Sequence, residues 1–61
     1  MKNTNVRFNY YIVSGRNRYV PKFFYTKAES VADAKLNFYI HSGDNINYVS
    51  RITKKKYDEN N

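Results

Sequence analysis

The chain has 61 residues, enough for one small domain whose core is near the lower limit for folding without a disulfide or a metal ion. It contains no cysteine and only one histidine, His41, so the sequence offers neither a disulfide nor a set of zinc ligands. Eleven Lys and Arg residues against five Asp and Glu give a net charge of +6, which favours polyanions or acidic proteins as partners.

The sequence also bears on where the protein acts. It has no apolar run of about 18 residues to span a membrane, and its first residues, MKNTNVRF, lack the apolar region of a signal peptide. We therefore expect a cytoplasmic protein. Asn, Lys, Tyr, Ile and Phe dominate the composition, and A/T-rich codons encode these residues. This bias leads us to expect a viral or mobile-element gene, whose product would act in the host cell cytoplasm.

Two strands are predicted first in chain order. The segment 5–13, NVRFNYYIV, alternates with the period of a strand, and we assign one set of alternate residues to the core: Val6, Phe8, Tyr10 and Ile12. Residues 14–18, SGRNR, have the composition of a hairpin loop. Aromatic and β-branched residues then predict a second strand over 18–28. Pro21 donates no backbone hydrogen bond, which places this strand at a sheet edge.

A helix, a third strand and a tail follow. Ser30 with Asp33 three positions later fits a capping box, so the helix is predicted to begin at Val31. Gly43 suits its C-terminal cap, which gives about eleven helical residues. A third strand is predicted over 46–53. We expect residues 1–53 to form a single compact domain and 54–61 to be a flexible tail, basic and then acidic.

The order strand, strand, helix, strand predicts a small α+β fold. A right-handed crossover from the second strand to the third gives a three-stranded sheet in the order 2-1-3, with the helix on one face. The other face of the sheet is then uncovered. The predicted core contains Phe8, Val31, Ala34, Phe38 and Ile52.

The helix carries more apolar residues than one buried face needs. Val31, Ala34 and Phe38 form the arc expected to pack on the sheet, whereas a second arc holds Ala32, Leu36, Tyr39 and Ile40, of which the last three form the candidate patch. Two interpretations follow. Either the whole arc is buried, with the methylenes of Lys35 covering its edge, or the second arc is an exposed patch that binds another protein or a second copy of the chain.

The uncovered sheet face is the second candidate surface. There we predict aromatic rings interleaved with cations, an arrangement that binds single-stranded nucleic acid by stacking and by phosphate contacts. The alternative is that these side chains only solvate an open sheet face. The predicted nucleic-acid-binding residues, including the adjoining loop and tail, are Arg7, Tyr11, Arg16, Arg18, Tyr25, Lys27, Arg51, Lys54 and Lys55.

Catalytic patterns are missing from the sequence. It has no Gly-rich phosphate loop, no cysteine nucleophile and no metal-binding cluster, and His41 and Ser42 are adjacent on a helix, where neighbours point in different directions. We therefore expect a binding protein with no enzymatic activity, cofactor or metal. Charge favours nucleic acid as the partner. The alternative is an inhibitor or adaptor that binds a host protein through the apolar helix patch or a sheet edge.

Overall fold

The structure is a computed structural model and describes residues 7–60. It has five elements in chain order, which are β1 (Asn9–Asn17), β2 (Val20–Ala28), α1 (Val31–His41), β3 (Asn45–Ile52) and α2 (Lys54–Glu59). The first two residues of the predicted N-terminal strand, Asn5 and Val6, lie outside the described residues, as does the last residue of the predicted tail. None of the helices in the described part of the chain is long and apolar enough to cross a membrane.

The three strands form one sheet in the order β2-β1-β3, with α1 packed against it, so the predicted α+β fold and sheet order are confirmed. The central strand β1 pairs antiparallel with both neighbours. β2 is an edge strand, as Pro21 requires. On the other side, the register shifts between Ser14 and Gly15, where β3 accommodates one extra residue, Asn47, as a bulge.

The β1–β2 hairpin is longer than the sequence suggested. Residues 14–17, predicted as part of a loop, continue β1, and Asn17 pairs with Val20 across a two-residue turn. Arg18 in that turn has a positive φ of 58°, which is rare for a residue with a side chain. Its backbone N–H donates to Asp44 Oδ1 at 3.1 Å, and the N–H of Asp44 donates to the Arg16 carbonyl at 3.0 Å. The α1–β3 connection therefore holds the turn in place.

Local signals in the sequence determine both ends of α1. The Ser30 hydroxyl accepts a hydrogen bond from the Asp33 N–H at 3.2 Å, so the predicted N-cap is confirmed. At the other end Ser42, not Gly43, is the C-cap residue. Gly43 is needed for a different reason, because a Cβ there would lie 2.5 Å from the Arg16 carbonyl oxygen and 2.8 Å from the Phe38 ring.

The core lies between α1 and one face of the sheet. Its buried apolar residues are Tyr11, Val13, Ala28, Ala34 and Phe38, with Phe24, Ile46 and Val49 packed around them. The predicted core positions Ala34 and Phe38 are confirmed. The other three predictions are wrong: Phe8 and Val31 are 47% and 46% exposed, and Ile52 is half-buried on the sheet face turned away from α1.

The phase of β1 is therefore opposite to the prediction. Tyr11 and Val13 face the helix, whereas Tyr10 and Ile12 face away from it. Gly15 accounts for this choice, because the Phe38 ring packs directly over it and a Cβ would lie 2.7 Å from that ring. The residue without a side chain must face the ring of Phe38. With a period of two, Val13 and Tyr11 then face inward as well.

The C-terminal segment is also not as predicted. Residues Lys54–Glu59 form the helix α2 instead of a flexible tail. The Thr53 hydroxyl caps its N-terminus by accepting from the Lys56 N–H at 3.1 Å, and the helix packs against β1. The sequence of this segment lacks apolar periodicity, because Tyr57 is the one aromatic or aliphatic residue among Lys54–Glu59, and its ring packs on Tyr10 of β1.

Candidate nucleic-acid interface and apolar helix patch

We call the face of the sheet turned away from α1 the outer sheet face. Strand alternation and the pairing register determine which residues lie on it. Phe8, just before β1, lies beside these residues, since Lys27 Nζ is 5.2 Å from the centre of the Phe8 ring. The residues of the outer sheet face are Tyr10, Ile12, Ser14, Phe23, Tyr25, Lys27, Tyr48, Ser50 and Ile52.

Aromatic side chains dominate the outer sheet face. Phe23, Tyr48 and Phe8 are 63%, 52% and 47% exposed, while Tyr10 and Tyr25 are half-buried. Phe23 and Tyr48 both pair with Ser14 of the central strand and flank it on either side. Such open aromatic faces are rare in monomers, since exposed apolar clusters usually mark a binding surface.

The charge of the sheet has one sign. The three strands contain four cations, Arg16, Lys22, Lys27 and Arg51, and neither Asp nor Glu. By register, Arg16 and Lys27 belong to the outer side, near opposite ends of the strands. A polyanion lying along the outer sheet face would therefore meet rings and positive charges and no carboxylate from the strands.

α2 closes one end of the outer sheet face. The Tyr57 ring packs on Tyr10 with the ring centres 4.9 Å apart and a tilt of 47°. Lys54 Nζ donates to Asp58 Oδ2 at 2.9 Å, and this hydrogen bond with the attraction of the carboxylate raises the pKa of Lys54 above its ordinary value. Lys54 is thus paired with a carboxylate, whereas Lys55 and Lys56 form no ion pair within the described residues.

The hairpin turn extends the surface at the opposite end. Tyr19 is 94% exposed, and Arg16 and Arg18 precede it in sequence. An open cavity of about 530 Å³ lies beside this turn, lined by Asn17, Arg18, Tyr19, Val20 and Lys22. The backbone hydrogen bonds to Asp44 hold these side chains on a fixed support.

Some of the predicted nucleic-acid-binding residues lie on the outer sheet face or at its ends, and the others do not. Tyr25 and Lys27 lie on the outer sheet face as predicted, and Arg16, Arg18, Lys54 and Lys55 lie at its two ends. Tyr11 was predicted to be exposed there, but it is 4% exposed and packs under α1. Arg51 pairs with Tyr11 and so belongs to the helix side of the sheet, and Arg7 is exposed just before β1.

Sequence reasoning missed Phe8, Phe23 and Tyr48, which are the most exposed rings of this surface. Phe8 was predicted as a core residue, and so was Ile52, which shares its side of β3 with Tyr48. The phases of β1 and β3 in the structure are opposite to that prediction. The signal that would have found them is Gly15. It lies two residues after Val13 and marks the side of β1 on which a large helix residue must approach closely.

The second candidate surface is the helix patch, which we define as Leu36, Tyr39 and Ile40 on α1. These residues are 55%, 51% and 62% exposed, so the interpretation that the whole apolar arc is buried is wrong. Asp33 and Lys35 flank the helix patch, and both are exposed. The patch is therefore apolar with mixed charge at its margins.

Within residues 7–60 no cluster of three or more His, Asp or Glu side chains is placed to hold a metal ion. No family model matches the chain, and no curated protein or solved structure matches it either.

Proposed function

We propose that this protein binds single-stranded nucleic acid through its outer sheet face, without catalysis. The observation that carries the proposal is the set of exposed rings of Phe8, Phe23 and Tyr48 on a sheet whose strands contain cations and no carboxylates. Aromatic side chains on an open surface stack on unpaired bases, each contact contributing about 1–3 kcal/mol, while cations hold the phosphates.

The form of the surface favours a single strand over a duplex. A flat face of rings contacts the faces of bases, and these are accessible only where the bases are unpaired and unstacked. Arg16 and Lys27 lie on the outer side of the strands, and Lys55 and Lys56 belong to α2 at one end, so these four cations would contact the phosphates of a bound strand. Four phosphate contacts predict that log K falls with log salt with a slope of about 3.

A matched pair of tyrosines tests the proposal. Tyr48 and Tyr39 are 52% and 51% exposed, but the first lies on the outer sheet face and the second on the helix patch. We expect Tyr48→Ala to weaken binding of a labelled single-stranded decamer about 5- to 100-fold, because a stacking contact is lost. Tyr39→Ala should leave the affinity unchanged. Fluorescence anisotropy at several salt concentrations gives both the affinity and the slope.

Three results of this titration would count against the proposal. One is the absence of binding by the folded protein at about 20 mM salt, where electrostatic affinity is strongest. Another is an equal loss of affinity in Tyr39→Ala and Tyr48→Ala. The third is tighter binding of duplex than of single strand, which would move the contact from base faces to the phosphate backbone alone.

A second candidate function is protein binding through the helix patch, favoured by the exposure of Leu36, Tyr39 and Ile40. A partner that covers these side chains removes apolar surface from water. The partner would be a host protein that the chain inhibits or links to another factor, or a second copy of the chain. Ile40→Asp should then abolish partner capture or dimerisation, measured by light scattering, because an unpaired charge would have to be desolvated. Nucleic-acid affinity should not change.

A further inference from the structure

The outer sheet face contains one buried polar side chain that sets it apart from the rest of the surface. Ser14, on the central strand β1, is 7% exposed although it faces away from the core. Its cross-strand neighbours Phe23 and Tyr48 flank it and rise above it as exposed rings. We call this arrangement, two rings with Ser14 at the floor between them, the Ser14 slot.

The hydroxyl of Ser14 makes no side-chain hydrogen bond to any of residues 7–60. The other buried polar residue of the described chain, Thr26, differs in this respect, because its hydroxyl accepts from Asn37 Nδ2 at 3.0 Å. Buried polar groups in folded proteins nearly always have a partner, since leaving one unpaired costs free energy. The hydroxyl of Ser14 is thus left for a hydrogen bond to a ligand.

The spacing of the strands sets how far apart the Phe23 and Tyr48 rings can stand. Neighbouring strands lie about 4.8 Å apart, so Phe23 and Tyr48 start from backbones about 10 Å apart on either side of β1. Stacked bases are about 3.4 Å apart, so a base held between two rings needs those rings separated by about 7 Å. Because Ser14 is only 7% exposed, its neighbours cover it in the free protein, so the side chains of Phe23 and Tyr48 must rotate to this separation to admit a base.

We propose that the Ser14 slot is the base-reading position of the surface, where one nucleobase of a bound single strand inserts between Phe23 and Tyr48 and hydrogen-bonds the Ser14 hydroxyl. This inference rests on the proposed function and names the group that is recognised. A hydroxyl both donates and accepts, so it pairs with the polar edge of a base and has no equivalent contact with a bare sugar–phosphate chain. Affinity at this position therefore depends on the base.

Ser14→Ala tests the slot through two measurements, binding affinity and thermal stability. A hydroxyl with a structural role alone would change them in a different way. We expect the affinity for a base-bearing single-stranded decamer to fall about 2- to 10-fold, the effect of one hydrogen bond. The affinity for an abasic decamer with the same phosphates should not change. Thermal stability should be equal to or above that of the wild type, because the variant removes an unpaired buried group.

Thr26→Val is the matched control, since it removes a buried hydroxyl that has a partner and leaves the side-chain shape almost unchanged. We expect it to lower the melting temperature and to leave binding unaltered. Equal binding by Ser14→Ala and wild type would overturn the slot while the proposed function stands. A stability loss in Ser14→Ala like that of Thr26→Val would overturn it as well, by showing a structural hydroxyl. If the folded wild type binds no single strand, the proposed function and the slot fail together.

Discussion

Tyr48 and Tyr39 are exposed to the same extent on opposite sides of one small core, yet their surroundings differ. The strand that carries Tyr48 belongs to a sheet with four cations and no carboxylate, and rings dominate its outer face. Tyr39 lies beside aliphatic side chains, with the opposite charges of Asp33 and Lys35 at the margin. Exposure alone therefore does not identify a partner. The charge and side-chain type around each ring are the reason why we propose a polyanion as the partner of one surface and another protein as the partner of the other.

Both surfaces depend on the side chain that holds α1 on the sheet. Phe38 is fully buried and packs edge-on against Phe24 with ring centres 6.1 Å apart. Phe38→Ala should lower the free energy of unfolding by about 3–5 kcal/mol, through lost burial and the cavity left behind. In so small a domain this is enough to unfold it, and both surfaces would be lost together.

Denaturant titration followed by circular dichroism measures the effect of Phe38→Ala. The neighbouring exposed variant Tyr39→Ala is the control and should change stability by no more than about 0.5 kcal/mol. A loss below about 1 kcal/mol in Phe38→Ala would contradict the packing described here.

The next prediction concerns the residue that decides which side of the sheet is the outer one. A Cβ on Gly15 would lie 2.7 Å from the Phe38 ring and would also collide with the Asn45 carbonyl oxygen. Gly15→Ala should therefore destabilise the fold by about 1–3 kcal/mol, because ring and strand must both shift. Thermal melts check this value against Ser14→Ala, the neighbouring substitution on the outer side. Unchanged stability in Gly15→Ala would mean that the glycine does not determine the phase of β1.

Gly15 also shows how far the sequence predicts this molecule. α1 was located to the residue because Ser30 and Asp33 are local signals, and the sheet order followed from the handedness of the crossover. The phase of β1 was inverted because apolar residues lie on both of its sides, Tyr10 and Ile12 against Tyr11 and Val13. Only a tertiary contact, the Phe38 ring over Gly15, separates the two choices. α2 escaped prediction for a related reason, since its sequence has no apolar periodicity and its docking involves a tertiary contact, that of Tyr57 with Tyr10.

A pair of lysines sharpens the contrast between the two surfaces. Lys27 lies on the outer sheet face and Lys35 beside the helix patch, and both are exposed. Each substitution to Glu changes the net charge equally, but only Lys27→Glu removes a predicted phosphate contact. We expect Lys27→Glu to reduce the salt slope for single-stranded binding by about 0.7 and Lys35→Glu to leave it unchanged. Equal slopes in the two variants would indicate that net charge alone attracts the polyanion.

The smallest expected effect comes from the ion pair on α2. Asp58 accepts a hydrogen bond from Lys54 Nζ at 2.9 Å, so it would compete with a phosphate of a bound strand for that ammonium group. Asp58→Asn removes the competing charge. It should raise the salt slope by up to about 0.7, as Lys54 becomes a further phosphate contact, with a modest gain in affinity at low salt.

The same ion pair predicts a pH dependence for α2. Because Asp58 raises the pKa of Lys54, the pair stabilises α2 at neutral pH and this contribution is lost as the pH rises through the folded pKa, in strongly alkaline solution. Asp58→Asn should move the deprotonation of Lys54 to lower pH, because the carboxylate that raises its pKa is gone, and NMR of the Lys54 side chain measures this change. The pair is solvent-exposed, so its contribution to stability is small and screened by salt. An unchanged salt slope in Asp58→Asn would show that Lys54 does not reach a bound strand, and would limit the cationic contacts at this end to Lys55 and Lys56.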